Sequence, residues 1–535
     1  MLSKEDNVKP VNGYVKPLLT DLYELTMAYA YFNADRHEDF AVFDLFFRKN
    51  PFGGEFTIFA GLSEALKFLQ DYHFEDDHID YICEQLPQCS DKFRSWLKGL
   101  DCSRVKMNSL REGDLAFPRI PMMRVEGPLG ICQLLESTLL NLVAYPSLIA
   151  TNAMRMRLAA GKDKKLIEFG MRRAQGPDGA VSASRYSYLG GFDGTSNMMA
   201  GYLFGMPVSG TQAHSYISSY TSIDNISEKT IDDPDGNKHE FIQDALKYRD
   251  ELGFNNTNDG ELAAFIAYAH AFPSGFLALV DTYDTLDSGI PNFLCVSLAL
   301  KEAGYDPVGI RLDSGDLSHL SKRTREMFKE VGAKYNNDFA NLKIVASNEI
   351  NEETLRSLNQ QGHEIDIFGI GTHLVTCQKD PSLGCVYKLV QVRDEPKIKL
   401  SEDIAKMTFP GRKEAYRLYG EKGYPLLDLM IVVGEEKPQE GKRVLCCHPF
   451  EEAKRTYVIP SKVVPLHNIV WEGKPQHEST PADEIREFAM RQVDSLRKDH
   501  KRPLNPTPYK VSLSEKLFKF VHEMWRKEAP IREMR

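Results

Sequence analysis

At 535 residues the chain is too long for a single hydrophobic core, so two or three domains are expected. A composition with 42% hydrophobic and 27% charged residues is that of an ordinary globular protein. The net charge of −10 excludes the basic stripe that a phosphate backbone demands; no nucleic-acid partner is expected, although a few local arginines could hold a small anion.

The first residues, MLSKEDNVKP, lack the apolar core of a signal peptide. The most apolar run, LLESTLLNLVAYPSLIA, is broken by Glu136, Asn141 and Pro146 and reads as a core helix rather than a membrane span. No membrane partner is expected, and the expected location is the cytosol. Nine cysteines at scattered positions make no disulfide framework, and Cys446 to His448 lack a second ligand pair at zinc spacing.

In chain order, DLYELTMAYAYF spaces Leu22, Leu25, Ala28 and Tyr29 as a helix. FAVFDLFFRKNPFGGEF reads as a strand closed by a Pro-Phe-Gly-Gly turn, and EGDLAFPRIPMMRVEGPL as part of a small antiparallel sheet. From about Lys164 short apolar runs alternate with helices. The runs are KLIEFGMRR, MPVSGTQAHS, FLALVDTYD, PVGIRLDSGD, LKIVASNEI and IDIFGIGT. Gly304, Gly332 and Gly362 stand where helix C-caps belong. Strand–helix alternation with apolar strands implies a parallel sheet covered by helices, and six strands favour an irregular α/β barrel over an open sheet.

One polar segment, Ser222 to Gly260, reads as a surface insertion. Beyond Leu400, KMTFPGRKEAYRLYG and DLMIVVGEE look like strands of another domain. LSEKLFKFVHEMWRKE sets Leu513, Leu517, Phe520, Val521 and Met524 on one helical face. The expected layout is an α+β sandwich-like domain over 1–150, the barrel over 151–395 and a C-terminal extension over 396–535. The extension packs on or completes the first domain.

In a parallel barrel the site lies where strands end and loops begin. Those ends carry Arg172 and Arg173; Gly210, Thr211 and His214; Asp281, Tyr283 and Asp284; Arg311, Asp313, Ser314 and Asp316; Ser347 and Asn348; and Gly369, Gly371 and Thr372. Asp316, Asn351 and Ser288 are read as capping or turn residues. Capping does not account for three arginines, which are natural ligands for phosphate or carboxylate. The GIGT turn suits close approach of backbone N–H groups to an oxyanion, and Asp281 and Asp313 suit Mg²⁺ or ribose hydroxyls. On residues alone the reading is an enzyme acting on a phosphorylated sugar.

Several long stretches resemble the nicotinate phosphoribosyltransferase family. They are LLTDLYELTMA, FDLFFRKNPFGG, GMRRAQGPDG, YSYLGGFDGTSN, GTQAHSY, RLDSGDL and GIGTHLVTC, in one order from residue 18 to about 390. The resemblance implies a type II phosphoribosyltransferase fold and a homodimer with shared active sites. It implies transfer of phosphoribosyl from phosphoribosyl pyrophosphate (PRPP) to nicotinate, in NAD salvage, with ATP as co-substrate and Mg²⁺, or Mn²⁺ in its place, as cofactor. By motif, Tyr23, Thr211 and Arg311 would bind nicotinate, and Arg172, Ser347, Asn348, Gly371 and Thr372 the PRPP phosphates. Asp281 and Asp313 would serve the metal or ribose, and His214 would be phosphorylated. His214, Arg311 and Asp313 form the expected catalytic group. No GxxxxGK[ST] occurs, so ATP would bind without a P-loop. The competing readings are a nicotinamide-specific enzyme, a barrel lyase with Lys388 as Schiff-base lysine, and a binding protein without activity.

Overall fold

The structure, a computed structural model, describes residues 13–86, 88–400 and 407–529. The chain folds into two compact units. Arg155–Ala180 and Phe192–Thr376 form one; the described residues of Met1–Met154, Val181–Gly191 and Cys377–Arg535 form the other. The first and last of the three segments read from the sequence therefore lie in one unit.

The first of these units is built on six strands: β1 (Lys165–Glu168), β2 (Gly194–Thr195), β3 (Leu277–Leu279), β4 (Gly309–Leu312), β5 (Lys343–Ala346) and β6 (Ile367–Ile370). Their order is β3-β4-β5-β6-β1-β2, and every neighbouring pair is parallel. Helices Ile290–Glu302, Leu317–Tyr335 and Glu352–Gln361 return the chain between β3, β4, β5 and β6, as parallel pairing requires. Ile310, Leu312, Ile344, Phe368 and Ile370 are fully buried, as expected of strands covered by helices. The result is the irregular α/β barrel class, not a regular eight-stranded one.

Four expectations need correction here. MPVSGTQAHS is not a strand: only Val208 bridges to Thr195, while GGFDGTSN supplies β2. Pro207 has no N–H for a ladder, and Gly205 at φ +66° turns the chain just before it. Gly332 is not a C-cap but lies inside Leu317–Tyr335, where a Cβ would come within 2.7 Å of Asn337 O. Asn336, at φ +53°, ends that helix instead, because asparagine tolerates the left-handed region. Within Ser222 to Gly260, only the first half is a polar surface excursion. Helix Phe241–Leu252 buries Phe241, Ile242 and Ala245 and packs on Ile290–Glu302. Finally, Leu513 belongs to strand Lys510–Ser514, and the helix Glu515–Glu528 buries Leu517, Val521 and Met524.

In the other unit, one sheet is antiparallel throughout. It runs Glu395–Pro396, Cys385–Val392, Phe40–Phe47, Met123–Pro128, Lys106–Ser109 and Asn468–Glu472. Phe40–Phe47 is buried on both faces, and its one charged residue, Asp44, pairs with Lys413 at 2.9 Å. A second sheet contains Lys413–Tyr419 and Pro425–Val432, and its core includes Tyr416, Leu418, Leu429, Cys446 and Val458. Arg417 is buried there with both nitrogens of one edge on Asp428 at 2.9 Å and a third on Asp114 at 3.0 Å. A buried guanidinium is tolerable only when so fully paired. Helix Glu136–Ala160 accommodates Pro146. The run Leu129–Ala160 is long and apolar enough to cross a membrane, but 67% of its most apolar window is buried inside the protein. One local disulfide, Cys83–Cys89, was not anticipated.

Candidate active site

The loops after β1, β2, β4, β5 and β6 surround a cleft of about 450 Å³. Arg172, Thr211, Arg311, Asp313, Ser347, Asn348, Gly371 and Thr372 all line it. His214 and Asp281 adjoin it through Asp313. Tyr23 lies in the other unit, on helix Leu22–Asn33, in a shallow pocket with Ser137 and Asn141. Its ring is 44% exposed, while burial pushes its phenol up to about 12. Lys388 is not in the barrel: it lies in the antiparallel strand Cys385–Val392, which removes the structural basis for a barrel Schiff base.

Arg311 stands between buried Ile310 and Leu312 in β4, so alternation turns it to the opposite face of the sheet. One Nη donates to Thr211 Oγ1 at 2.9 Å and to Gln212 O at 3.4 Å. Its Nε is buried and has no hydrogen-bond partner among the described residues. Burial lowers the guanidinium below its ordinary value, opposed by Asp313 and Asp281, with Arg172 adding to the lowering. A cation held this way, five donors with two acceptors, favours an incoming anion. Arg172 and Arg173 are exposed at the rim of the same cleft.

No described ladder joins Val208 to β3, and polar side chains stand in that interval. His214 Nδ1 lies 3.1 Å from Thr282 Oγ1, which fixes the ring. Its Nε2 then faces Asp313 Oδ2 at 3.7 Å and Asp281 Oδ1 at 3.9 Å. The Asp281 side chain is 2% exposed; one oxygen accepts from Asp313 N at 3.1 Å and from Ser314 Oγ, and Oδ1 has no hydrogen-bond partner among the described residues. Ser347 Oγ donates to Asp313 Oδ1. The acid pair and the imidazole form one polar cluster beside the arginines.

Two turns bring backbone into the cleft. A Cβ on Gly170 would meet Val375 at 2.3 Å and Gly371 O at 3.0 Å, so the turns after β1 and β6 touch through backbone. After β5, Asn348 and Glu349 take φ +102° and +42°. Each such residue costs about 1–3 kcal/mol and persists where its surroundings enforce it. Two of the capping expectations have direct counterparts: Asp316 accepts from His319 N, and Asn351 from Thr354 N; Ser288 instead lies inside Thr285–Gly289, accepting from Asn258 N at 3.0 Å and donating to Glu261. Asp284 likewise caps Leu286 and Asp287 and is thereby committed to the turn.

Sequence reasoning missed Glu168, Thr282, Gln212 and Glu261. Glu168 is fully buried and accepts from Gly170 N and, at 2.6 Å, from Thr195 Oγ1, pinning the β1 turn to β2. Its signal was a lone acid inside the apolar run KLIEF. Glu261 accepts from Ser288 Oγ at 2.5 Å and Asn292 Nδ2 at 3.1 Å. Burial, reinforced by Asp281 and Asp284, raises its carboxyl to about 7.

Comparison with known proteins decides the family. The nicotinate phosphoribosyltransferase N-terminal domain model matches residues 18–144, the family model 301–425 and the C-terminal domain model 412–521. A Dictyostelium discoideum protein named nicotinate phosphoribosyltransferase is 55% identical over 540 residues, covering 99% of this chain and 92% of that one. The chain belongs to the nicotinate phosphoribosyltransferase family. The human protein of that name is 44% identical over 531 residues, covering 96% of this chain and 98% of its own. The crystal structure of human nicotinic acid phosphoribosyltransferase superimposes with a TM-score of 0.86 at 41% identity, over 95% of this chain and 100% of that one. Family membership and the shared fold agree with the cleft described above.

Proposed function

We propose that this family member transfers the 5-phosphoribosyl group of PRPP to nicotinate. The products are nicotinate mononucleotide and pyrophosphate, and the step is the first of NAD salvage from the acid (the Preiss–Handler route), in the cytosol. The observation that carries this reading is Arg311, a half-buried guanidinium with an enclosed Nε and spare donors at the C-terminal end of a parallel sheet, beside Arg172 and Arg173. Arg311 and Thr211 would hold the nicotinate carboxylate. Arg172, Ser347, Asn348, Gly371 and Thr372 would hold PRPP phosphates.

The pyridine nitrogen forms a bond to the anomeric carbon as the bond to pyrophosphate breaks. The nucleophile needs no deprotonation, so alignment and stabilisation of the departing negative charge supply the catalysis. Two carboxylates with one unpartnered buried oxygen fit Mg²⁺ or Mn²⁺, which takes a carboxylate or two together with substrate phosphates. Asp281 and Asp313 would hold that ion, which when bound neutralises pyrophosphate charge.

ATP hydrolysis would be coupled through phosphorylation of His214. With Nδ1 held by Thr282, Nε2 is the atom presented to the cleft; this requires the proton on Nδ1, donated to Thr282 Oγ1. In a homodimer with shared sites, Tyr23 would stack on the pyridine ring bound in the partner subunit's barrel. Calorimetric titration of PRPP-loaded protein with nicotinate and with nicotinamide tests the substrate assignment. The acid should bind and the amide should not; preference for the amide would overturn it.

A further inference from the structure

Tyr23 stands on the first turn of helix Leu22–Asn33, and helix ends fray unless something holds them. Here the holding group is the first turn of helix Glu136–Ala160. Glu24 Oε1 accepts from Ser137 N at 2.9 Å, Asp21 Oδ2 accepts from Ser137 Oγ at 2.9 Å, and Leu19 O accepts from Thr138 Oγ1. Thr20 Oγ1 donates to the other Glu24 oxygen at 2.8 Å. The Ser137 side chain also interacts with the Tyr23 phenol. The polar end of Tyr23 is thus engaged while the residue as a whole stays 44% exposed.

Two features of this contact run against local preference. Asp21 occupies the N-cap of Leu22–Asn33, where an aspartate ordinarily accepts from the backbone N–H groups that follow. It makes no such bond and turns its carboxylate to Ser137 instead. Glu24 is fully buried, and burial raises its carboxyl above the ordinary value, opposed by the hydrogen bonds from Ser137 and Thr20. An apolar side chain would fill the same place without that desolvation cost, but it would carry no direction. Two bonded oxygens fix how the first turn is rotated, and Tyr23 is the adjoining residue. Local rules broken in this way are expected at functional sites.

We propose that Glu24 and Ser137 are positioning residues for the reaction, setting Tyr23 in the orientation in which its ring meets the pyridine. This rests on the stacking role given to Tyr23 above. A side chain already held in its working geometry loses less freedom when substrate arrives, so the gain appears in nicotinate binding and not in PRPP binding. Neither positioning residue is required to touch the substrate.

Steady-state kinetics of the full chain, with each substrate varied in turn, tests it. Glu24→Ala should raise the KM for nicotinate about two- to tenfold, the range that an aromatic contact spans, and leave the KM for PRPP unchanged. Glu24→Gln keeps an acceptor for Ser137 N and should hold the nicotinate KM within about twofold of wild type. Ser137→Ala, which leaves its own backbone N–H in place, should raise the nicotinate KM in the same direction, and it carries the test alone if Glu24→Ala does not fold. Tyr23→Ala separates positioning from stacking. If it raises the nicotinate KM while Glu24→Ala and Ser137→Ala do not, the positioning role is overturned and stacking stands. If it changes nothing, stacking fails and positioning falls with it. A KM for PRPP that rises in step with that for nicotinate, or a Glu24→Gln chain no better than Glu24→Ala, would also overturn the proposal.

Discussion

Arg311 shows how far a single residue can be read. Its position in PVGIRLDSGD identified a cation at a strand end, but only the structure shows the guanidinium bonded through one Nη to Thr211 and Gln212 with Nε unpartnered. Arg311→Gln should raise the KM for nicotinate about 10–100-fold, the loss of a charge-assisted hydrogen bond worth about 1.5–3 kcal/mol. Steady-state kinetics with PRPP saturating checks this; an unchanged KM would remove Arg311 from the carboxylate. His214 was legible as a histidine near a strand end, while its partners Asp281, Thr282 and Asp313 arrive from loops 67, 68 and 99 residues further along the chain. Such long-range pairing leaves no spacing in a sequence. His214→Ala should abolish acid-labile ³²P labelling from ATP while slow ATP-independent synthesis survives. Labelling that persists in the variant would contradict the role given to Nε2.

At the scale of elements, strand–helix alternation was legible because β4, β5 and β6 are apolar runs punctuated by helices with ordinary caps. β2 was not, since Gly194–Thr195 is two residues long and has no periodicity to detect. Helix Asp259–Ala271 carries a buried acid that periodicity also conceals, Glu261. Its carboxyl is raised to about 7 from an ordinary 4.5, so the folded state holds more protons than the unfolded one between those values. Stability therefore falls as pH rises from about 4.5 to about 7 and levels off above that, by up to about 3 kcal/mol in total. Urea denaturation of the wild type and Glu261→Gln at about pH 5 and pH 8 measures this linkage. The variant should lose most of the pH slope, and an identical slope would assign it to other groups.

For the whole molecule, the sequence reading joined the C-terminal extension to the N-terminal domain but kept 151–395 as one barrel segment, whereas the fold places Val181–Gly191 and the chain from Cys377 in the unit that also holds the described residues of Met1–Met154. Discontinuous units arise from sheet pairings such as Phe40–Phe47 with Cys385–Val392, which contact order alone does not announce. The proposed assembly, with Tyr23 serving the partner subunit's cleft, makes a stoichiometric prediction. Co-refolded Tyr23→Ala and His214→Ala chains should regain about one quarter of wild-type ATP-coupled activity, because half the dimers are mixed and each holds one intact site. No recovery would mean that each chain completes its own site. The account rests most on the reaction itself. Mass spectrometry of the purified protein incubated with nicotinate, PRPP, Mg²⁺ and ATP should show nicotinate mononucleotide and pyrophosphate accumulating in equal amounts. Consumption of PRPP without that nucleotide, or no turnover at all, would contradict it.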